Sequence, residues 1–173
     1  MSITLASKSS AKDSGQRVRA LTSTNMGEKL LAVYCGGPIA AVAWCPRAMS
    51  DDSQVVAVAV FTDEEVLMPN LSEAAPSLGL VQLWKVCTSK KNPSLTGVAK
   101  FLLETEFGQV LNCCWCPVGF DDAETADGPV GALAVATVSG HVPIFCVPNR
   151  FDSDSSSSPS IVRPTPQTVL VAP

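Results

Sequence analysis

One histidine, His141, and one tyrosine, Tyr34, are all the sequence holds of two residue types that often carry acid–base chemistry. A Ser-His-Asp or Cys-His site would have to be built on His141. That residue follows Ser139-Gly140, and no Gly-x-Ser-x-Gly elbow lies near it. Charge is scarce too, at 16% of residues. Hydrophobic residues make up 46%, which is too apolar for a wholly disordered chain and enough for a core of ordinary domain size. Yet no apolar run approaches the ~18–20 residues that a membrane-crossing helix needs. No contiguous apolar segment opens the sequence, so secretion is not expected. Phosphate-cradling motifs are missing as well: Gly36-Gly37 has no following Lys-Ser/Thr.

What charge there is lies unevenly. Lys8, Lys12, Arg17, Arg19 and Lys29 against Asp13 and Glu28 put residues 1–30 at +3. The rest is then −7 within a total of −4. An acidic main body argues against broad contact with nucleic-acid phosphate, so any DNA contact is expected to be indirect at most. The seven cysteines are an odd number, and Cys35, Cys45, Cys113, Cys114 and Cys146 sit in apolar runs, where free cysteine behaves as a small hydrophobe. A reducing nuclear or cytoplasmic setting follows.

Self-comparison reveals an internal repeat. Pro38-Ile39-Ala40-Ala41-Val42-Ala43-Trp44-Cys45-Pro46 aligns with Gln109-Val110-Leu111-Asn112-Cys113-Cys114-Trp115-Cys116-Pro117, 71 residues on. Residues 55–60 align with 132–137. Gly79-Leu80-Val81-Gln82-Leu83-Trp84-Lys85-Val86 aligns with Gly140-His141-Val142-Pro143-Ile144-Phe145-Cys146-Val147, 61 residues on. Each unit reads strand, turn, strand, turn, strand from its short β-branched runs between Gly, Pro, Asp and Ser. The runs are nearly continuous rather than alternating, so each sheet is expected to be covered on both faces. A fourth strand is expected over residues 99–105, with its counterpart before the first unit at residues 29–34.

These motifs resemble WD repeats. In that family the first strand ends apolar-x-Trp-small-Pro, as Val42-Ala43-Trp44-Cys45-Pro46 and Cys113-Cys114-Trp115-Cys116-Pro117 do. The third strand reads Val-x-Leu-Trp, as Val81–Trp84 does. The Gly-His and Trp-Asp signatures are replaced here by Gly36-Gly37 and Phe107-Gly108, and by Trp84-Lys85 and Phe145-Cys146. The resemblance therefore carries no His–Ser–Asp–Trp network. Gly-Gly-Pro-Ile, the paired Trp-Cys-Pro and Gly79-Leu80-Val81-Gln82-Leu83-Trp84 are further similar to the WD-repeat subunits of general transcription factor IIIC, which serves RNA polymerase III. The resemblance implies an all-β, WD40-type propeller fragment of about two four-stranded blades. It implies a non-enzymatic scaffold of nuclear transcription, binding other protein subunits of a complex, with no cofactor, membrane or small-molecule substrate. A generic WD adaptor in a ubiquitin-ligase, chromatin or trafficking complex, nuclear or cytoplasmic, is the alternative.

The organisation expected is a disordered tail over residues 1–28, two blades over 29–148, a Ser/Pro-rich disordered loop over 149–166 and the start of a further strand over 167–173. Trp44, Trp84, Trp115 and Phe145, at matching repeat positions, are expected to form the core. The repeat distance exceeds a lean WD unit of ~40–45 residues, and the excess falls in residues 47–53, 62–78 and 118–129. The acidic pairs Asp51-Asp52 and Asp121-Asp122 lie there, with Asp63-Glu64-Glu65. They read as solvated loop, without EF-hand spacing. Cys113, Cys114 and Cys116 lack the second ligand pair that zinc requires, and strand alternation turns Cys113 away from the other two. The Ser153–Ser158 stretch reads as flexible loop open to phosphorylation. A two-blade array has open faces, so the chain is expected to be incomplete as a folding unit.

Overall fold

A computed structural model describes residues 3–5, 16–18, 21–27, 30–47, 49, 53–61, 78–88, 95–117, 128–149 and 159–171. Among these residues the chain is all-β, without a helix. Thirteen strands follow in order: β1 Ile3–Leu5, β2 Gln16–Val18, β3 Thr22–Gly27, β4 Leu30–Tyr34, β5 Ile39–Trp44, β6 Gln54–Val60, β7 Gly79–Thr88, β8 Leu95–Thr105, β9 Val110–Trp115, β10 Gly131–Thr137, β11 His141–Val147, β12 Ser160–Val162 and β13 Thr168–Val171. The acidic pairs of the insertions and the Ser153–Ser158 run lie outside the described residues.

Two larger sheets carry the fold. The first has the order β12-β8-β7-β6-β5 and the second β13-β11-β10-β9. All pairs are antiparallel except β12, which runs parallel to β8. Two small antiparallel pairs, β1-β2 and β3-β4, precede them. Strand formation follows from composition: β6 is Gln-Val-Val-Ala-Val-Ala-Val, whose β-branched side chains suit a pleated surface.

The sequence repeat is reproduced in the register. Across the first sheet Trp44 stands opposite Val56, and Val56 opposite Trp84. Across the second, Trp115 stands opposite Leu133, and Leu133 opposite Phe145. Each residue of the second row is the repeat partner of the one in the first. Both sheets also carry a register irregularity at the same place: between Ile39 and Ala41 against β6 in one, and between Val110 and Asn112 against β10 in the other. The flanking backbone bonds correspond as well. Phe61 N–H donates to Pro38 O at 2.9 Å, as Val138 N–H does to Gln109 O at 2.9 Å. Cys45 N–H donates to Val55 O at 2.8 Å, as Cys116 N–H does to Ala132 O at 2.8 Å. An irregularity shared at one position adds one residue and re-aims the strand, so it belongs to the repeat.

The main core lies between the sheets. Val55, Ala57, Ala59, Val81 and Leu83 of the first meet Val110, Cys113, Trp115, Leu133, Val135 and Phe145 of the second. Burying each larger apolar side chain stabilises by about 1.5–3 kcal/mol. A smaller core on the other face of the first sheet gathers Val56, Val58, Val60, Trp84, Ala99 and Cys35, with Leu21 and Val33 packed against it.

Two expectations need correction. Residues 1–28, read as a disordered tail, contain β1, β2 and β3; β3 is Thr-Ser-Thr-Asn-Met-Gly, a polar strand without an apolar signal, held by pairing with β4. Residues 149–166, read as disordered loop, include β12, which adds to the edge of β8. The strand expected to start over residues 167–173 is β13, Thr168–Val171, the fourth strand of the second sheet, paired with β11. The segment between β12 and β13 thus straps one sheet to the other.

Candidate functional site

The two large sheets meet chiefly along the seam of β9 with β5. Trp115, on β9, is buried and donates its indole N–H to the main-chain oxygen of Ala43 on β5 at 3.0 Å. Gly131 makes room for the ring: a Cβ there would stand 3.2 Å from it. Ala40, Ala41 and Ala43 pack against the same core, and their small size lets the strands approach. Cys45 joins this core, and Arg47 reaches across to Pro129 O at 3.2 Å.

Trp44 does not share that environment. It was expected in the core beside Trp84, Trp115 and Phe145, and those three are buried. Trp44 is instead 55% exposed. Its register position is equivalent to that of Trp115, so the repeat is intact; the neighbour differs. The row on which Trp115 stands faces the first sheet. The matching row of the first sheet faces the β3-β4 side, and that pair packs on β8. Ile39, Val42 and Trp44 are 53, 55 and 55% exposed, whereas Val110, Cys113 and Trp115 are 0, 6 and 5% exposed.

Each sheet ties its third strand to the turn before its first strand by a different polar network. In the first, Trp84 Nε1–H donates to Gln82 Oε1 at 3.0 Å, and Gln82 Nε2 donates to Cys35 O at 2.6 Å. Gln82 is almost fully buried, so both ends of its amide are satisfied as burial demands. In the second, Ser139 Oγ donates to Phe107 O at 2.7 Å and lies 2.9 Å from His141 Nδ1. Thr137 Oγ1 donates to His141 O at 2.9 Å, and the Phe107 and His141 rings stack at 5.2 Å. The sequence motifs hide these networks, because neither uses a His–Ser–Asp–Trp set. A polar residue two places from an aromatic, as in Gln82-Leu83-Trp84 and Ser139-Gly140-His141, was the available signal.

Ser139 and His141 are therefore neighbours, but the serine proton is directed at a main-chain carbonyl. With that proton engaged on Phe107 O, Ser139 Oγ does not aim it at His141 Nδ1. The pair fixes a turn; it does not present an activated nucleophile. Gly140, in that turn, has φ 77°, a conformation glycine adopts without strain.

A cleft of about 430 Å³ opens beside this turn, lined by Leu78, Glu104, Phe107, Phe145, Arg163 and Pro166, among others. The β12-β13 strap forms one wall. Arg163 Nε donates to Glu104 Oε2 at 2.6 Å, an ion pair with the arginine largely exposed and so of small energetic weight.

Cys35 and Cys113 are buried, and desolvation pushes both thiols up to about 11. Burial also raises Cys45. Such thiols stay protonated and unreactive near neutrality. Cys114 and Cys116 are exposed, on the opposite face from Cys113. Among the described residues no group of three or more His, Cys, Asp or Glu side chains is placed to hold a metal ion, and no helix is long and apolar enough to cross a membrane. Neither a protein-family model nor a curated protein sequence matches the chain.

Proposed function

We propose that the chain is a non-catalytic scaffold segment of the WD-repeat β-propeller type, each large sheet being one blade, and that it acts through protein–protein contacts. One observation carries this reading: the two sheets repeat the same cross-strand register, with the same irregularity and the same Trp-Cys-Pro ending on the first strand. A repeated sheet that stacks on its neighbour face to face is the building principle of a propeller. The polar chemistry supports a structural role, since Gln82 and Ser139 spend their hydrogen bonds on main-chain carbonyls of the preceding turn.

The setting we propose is a nuclear transcription complex of RNA polymerase III. It rests on the likeness of Gly36-Gly37-Pro38-Ile39, the paired Trp-Cys-Pro and Gly79-Leu80-Val81-Gln82-Leu83-Trp84 to the WD-repeat subunits of transcription factor IIIC. An acidic body of this kind suits contact with basic protein surfaces better than contact with DNA. Affinity purification of the tagged chain from nuclear extract, read by mass spectrometry, tests the setting. Recovery of transcription factor IIIC subunits is the expected result. Recovery of a ubiquitin ligase or coat complex without them would move the scaffold to another assembly.

A further inference from the structure

We propose that the cleft between the two large sheets is a docking site for an arginine side chain on an extended, basic segment of a partner protein. The inference deepens the scaffold reading and rests on it for one point, that the occupant is a protein. Both walls of the cleft belong to this chain. One is the end of β8 and the turn after it, with Glu104, Glu106 and Phe107; the other is the strap, with Arg163 and Pro166. Phe145 of the second sheet also lines the space, so a further sheet stacked on the outer face of either would not enter it. The volume of about 430 Å³ falls within the ~300–1,000 Å³ of ordinary ligand sites.

The chemistry of the lining names the occupant. Glu106 is exposed and has no ion-pair partner among the described residues. Glu104 is mostly buried and accepts from Arg163 Nε at 2.6 Å. The molecule thus already seats one arginine on this wall. That arginine comes from the strap, its side chain is 75% exposed, and the pair is of the kind that contributes little, so an incoming guanidinium can displace it. The half-buried Phe107 ring and the exposed Leu78 line the same cleft. An arginine suits such a lining: its planar guanidinium stacks on an aromatic ring while pairing with a carboxylate, and its stem covers apolar surface. The compact, strongly hydrated ammonium of lysine fits it less well. Two prolines, Pro164 and Pro166, stiffen the strap. Gln167 N–H anchors its end on the second sheet by donating to Ile144 O at 2.8 Å. The cleft is therefore formed before a partner arrives, and little ordering opposes binding.

The test is fluorescence anisotropy of two labelled probes titrated with the full chain. One probe is a blocked pentapeptide with a single arginine between leucines. The other carries citrulline there, which keeps the shape and drops the charge. The arginine probe is expected to bind with a dissociation constant of about 0.1–1 mM, and the citrulline probe about tenfold more weakly. Added salt should weaken the arginine probe alone. Glu106→Gln should weaken it about fivefold, and Glu104→Gln combined with Glu106→Gln by more than about tenfold. Arg163→Gln should act in the opposite sense: it frees Glu104, and binding tightens about threefold, which a merely structural ion pair would not produce. If Glu104→Gln loses its strand signal in circular dichroism, Thr165→Lys on the exposed part of the strap places a competing cation in the cleft and should weaken the arginine probe instead. Equal binding of the two probes overturns the proposal, as do an arginine probe that does not bind, a Glu106→Gln variant that binds like wild type, or an Arg163→Gln variant that binds more weakly. The scaffold reading is tested by recovery from nuclear extract and survives an empty cleft, so the two fail separately.

Discussion

The strands β5 and β9 are the same strand by sequence and register, yet they bury opposite faces. Along β5 the large residues Ile39, Val42 and Trp44 are open and the alanines between them are packed; along β9 Val110, Cys113 and Trp115 are buried and Leu111, Asn112 and Cys114 are open. The backbone solution is one, and the energetic consequence is set by which side has a neighbour. A tryptophan placed by a repeat is therefore not a core residue by virtue of its position. It becomes one when another sheet arrives.

The largest effect that could break this comparison is on the paired tryptophans. Trp115→Ala is expected to cost about 3–5 kcal/mol of unfolding free energy, as for a large buried side chain. In the monomer, Trp44→Ala should cost no more than about 0.5 kcal/mol, as at an exposed site. Urea titration of the two variants measures both, and equal losses would show that the two rows have the same environment.

Next in size are two glycines that hold the sheets at close approach. A Cβ on Gly79 would stand 2.3 Å from Gly108 O, a main-chain atom that cannot swing aside. Gly79→Ala should therefore destabilise by about 1–3 kcal/mol. On Gly131 the Cβ would meet the Trp115 ring at 3.2 Å, which a small ring shift relieves, so Gly131→Ala should lower the melting temperature less. The reverse order would mean that the turn before β7 is looser than its geometry shows.

The two polar networks sharpen the comparison at a smaller scale. Gln82→Leu leaves the buried Trp84 indole and Cys35 carbonyl without partners and should cost about 1–3 kcal/mol. Ser139→Ala removes bonds at an exposed turn, where water replaces them, and should cost less than about 1 kcal/mol. Thermal melts of the pair decide whether burial or bond count sets the loss.

A further effect, confined to alkaline pH, separates the buried thiols from the exposed ones. Cys35 and Cys113 have folded pKa values raised from 9.0 to about 11. The folded state therefore holds these protons more tightly than the unfolded one. Their contribution is fully present below pH 9 and is lost as pH rises toward 11. Stability measured by denaturant midpoint should fall across that window, and Cys35→Ala with Cys113→Ala should flatten the decline. Iodoacetamide at neutral pH should label Cys114 and Cys116 while sparing Cys35 and Cys113.

Much of the site was legible in the chain because its signals are local. Trp-Cys-Pro twice over marks the ends of β5 and β9. Cysteine alternation puts Cys113 opposite Cys114 and Cys116 without reference to any neighbour, since successive strand side chains point to opposite faces. The polar strand β3 and the short β12 were not legible: Thr-Ser-Thr-Asn-Met-Gly and Ser-Ile-Val carry too little apolar pattern, and both exist by pairing with a partner strand. The Ser139–His141–Phe107 arrangement was hidden for a related reason, because Phe107 lies 32 residues from Ser139.

By itself, then, the sequence determined where the main strands run, how each pairs with the next in its unit and which side chains share a face. Those properties follow from β-branched runs, turn residues and the period of two, all of which act over a few residues. Only the tertiary structure decided which of two equivalent rows is covered, that β12 returns to the first sheet before β13 completes the second, and that Trp44 stays open while Trp115 is sealed. Burial is a property of pairs of surfaces, and a repeat that writes the same surface twice does not say which copy meets a neighbour.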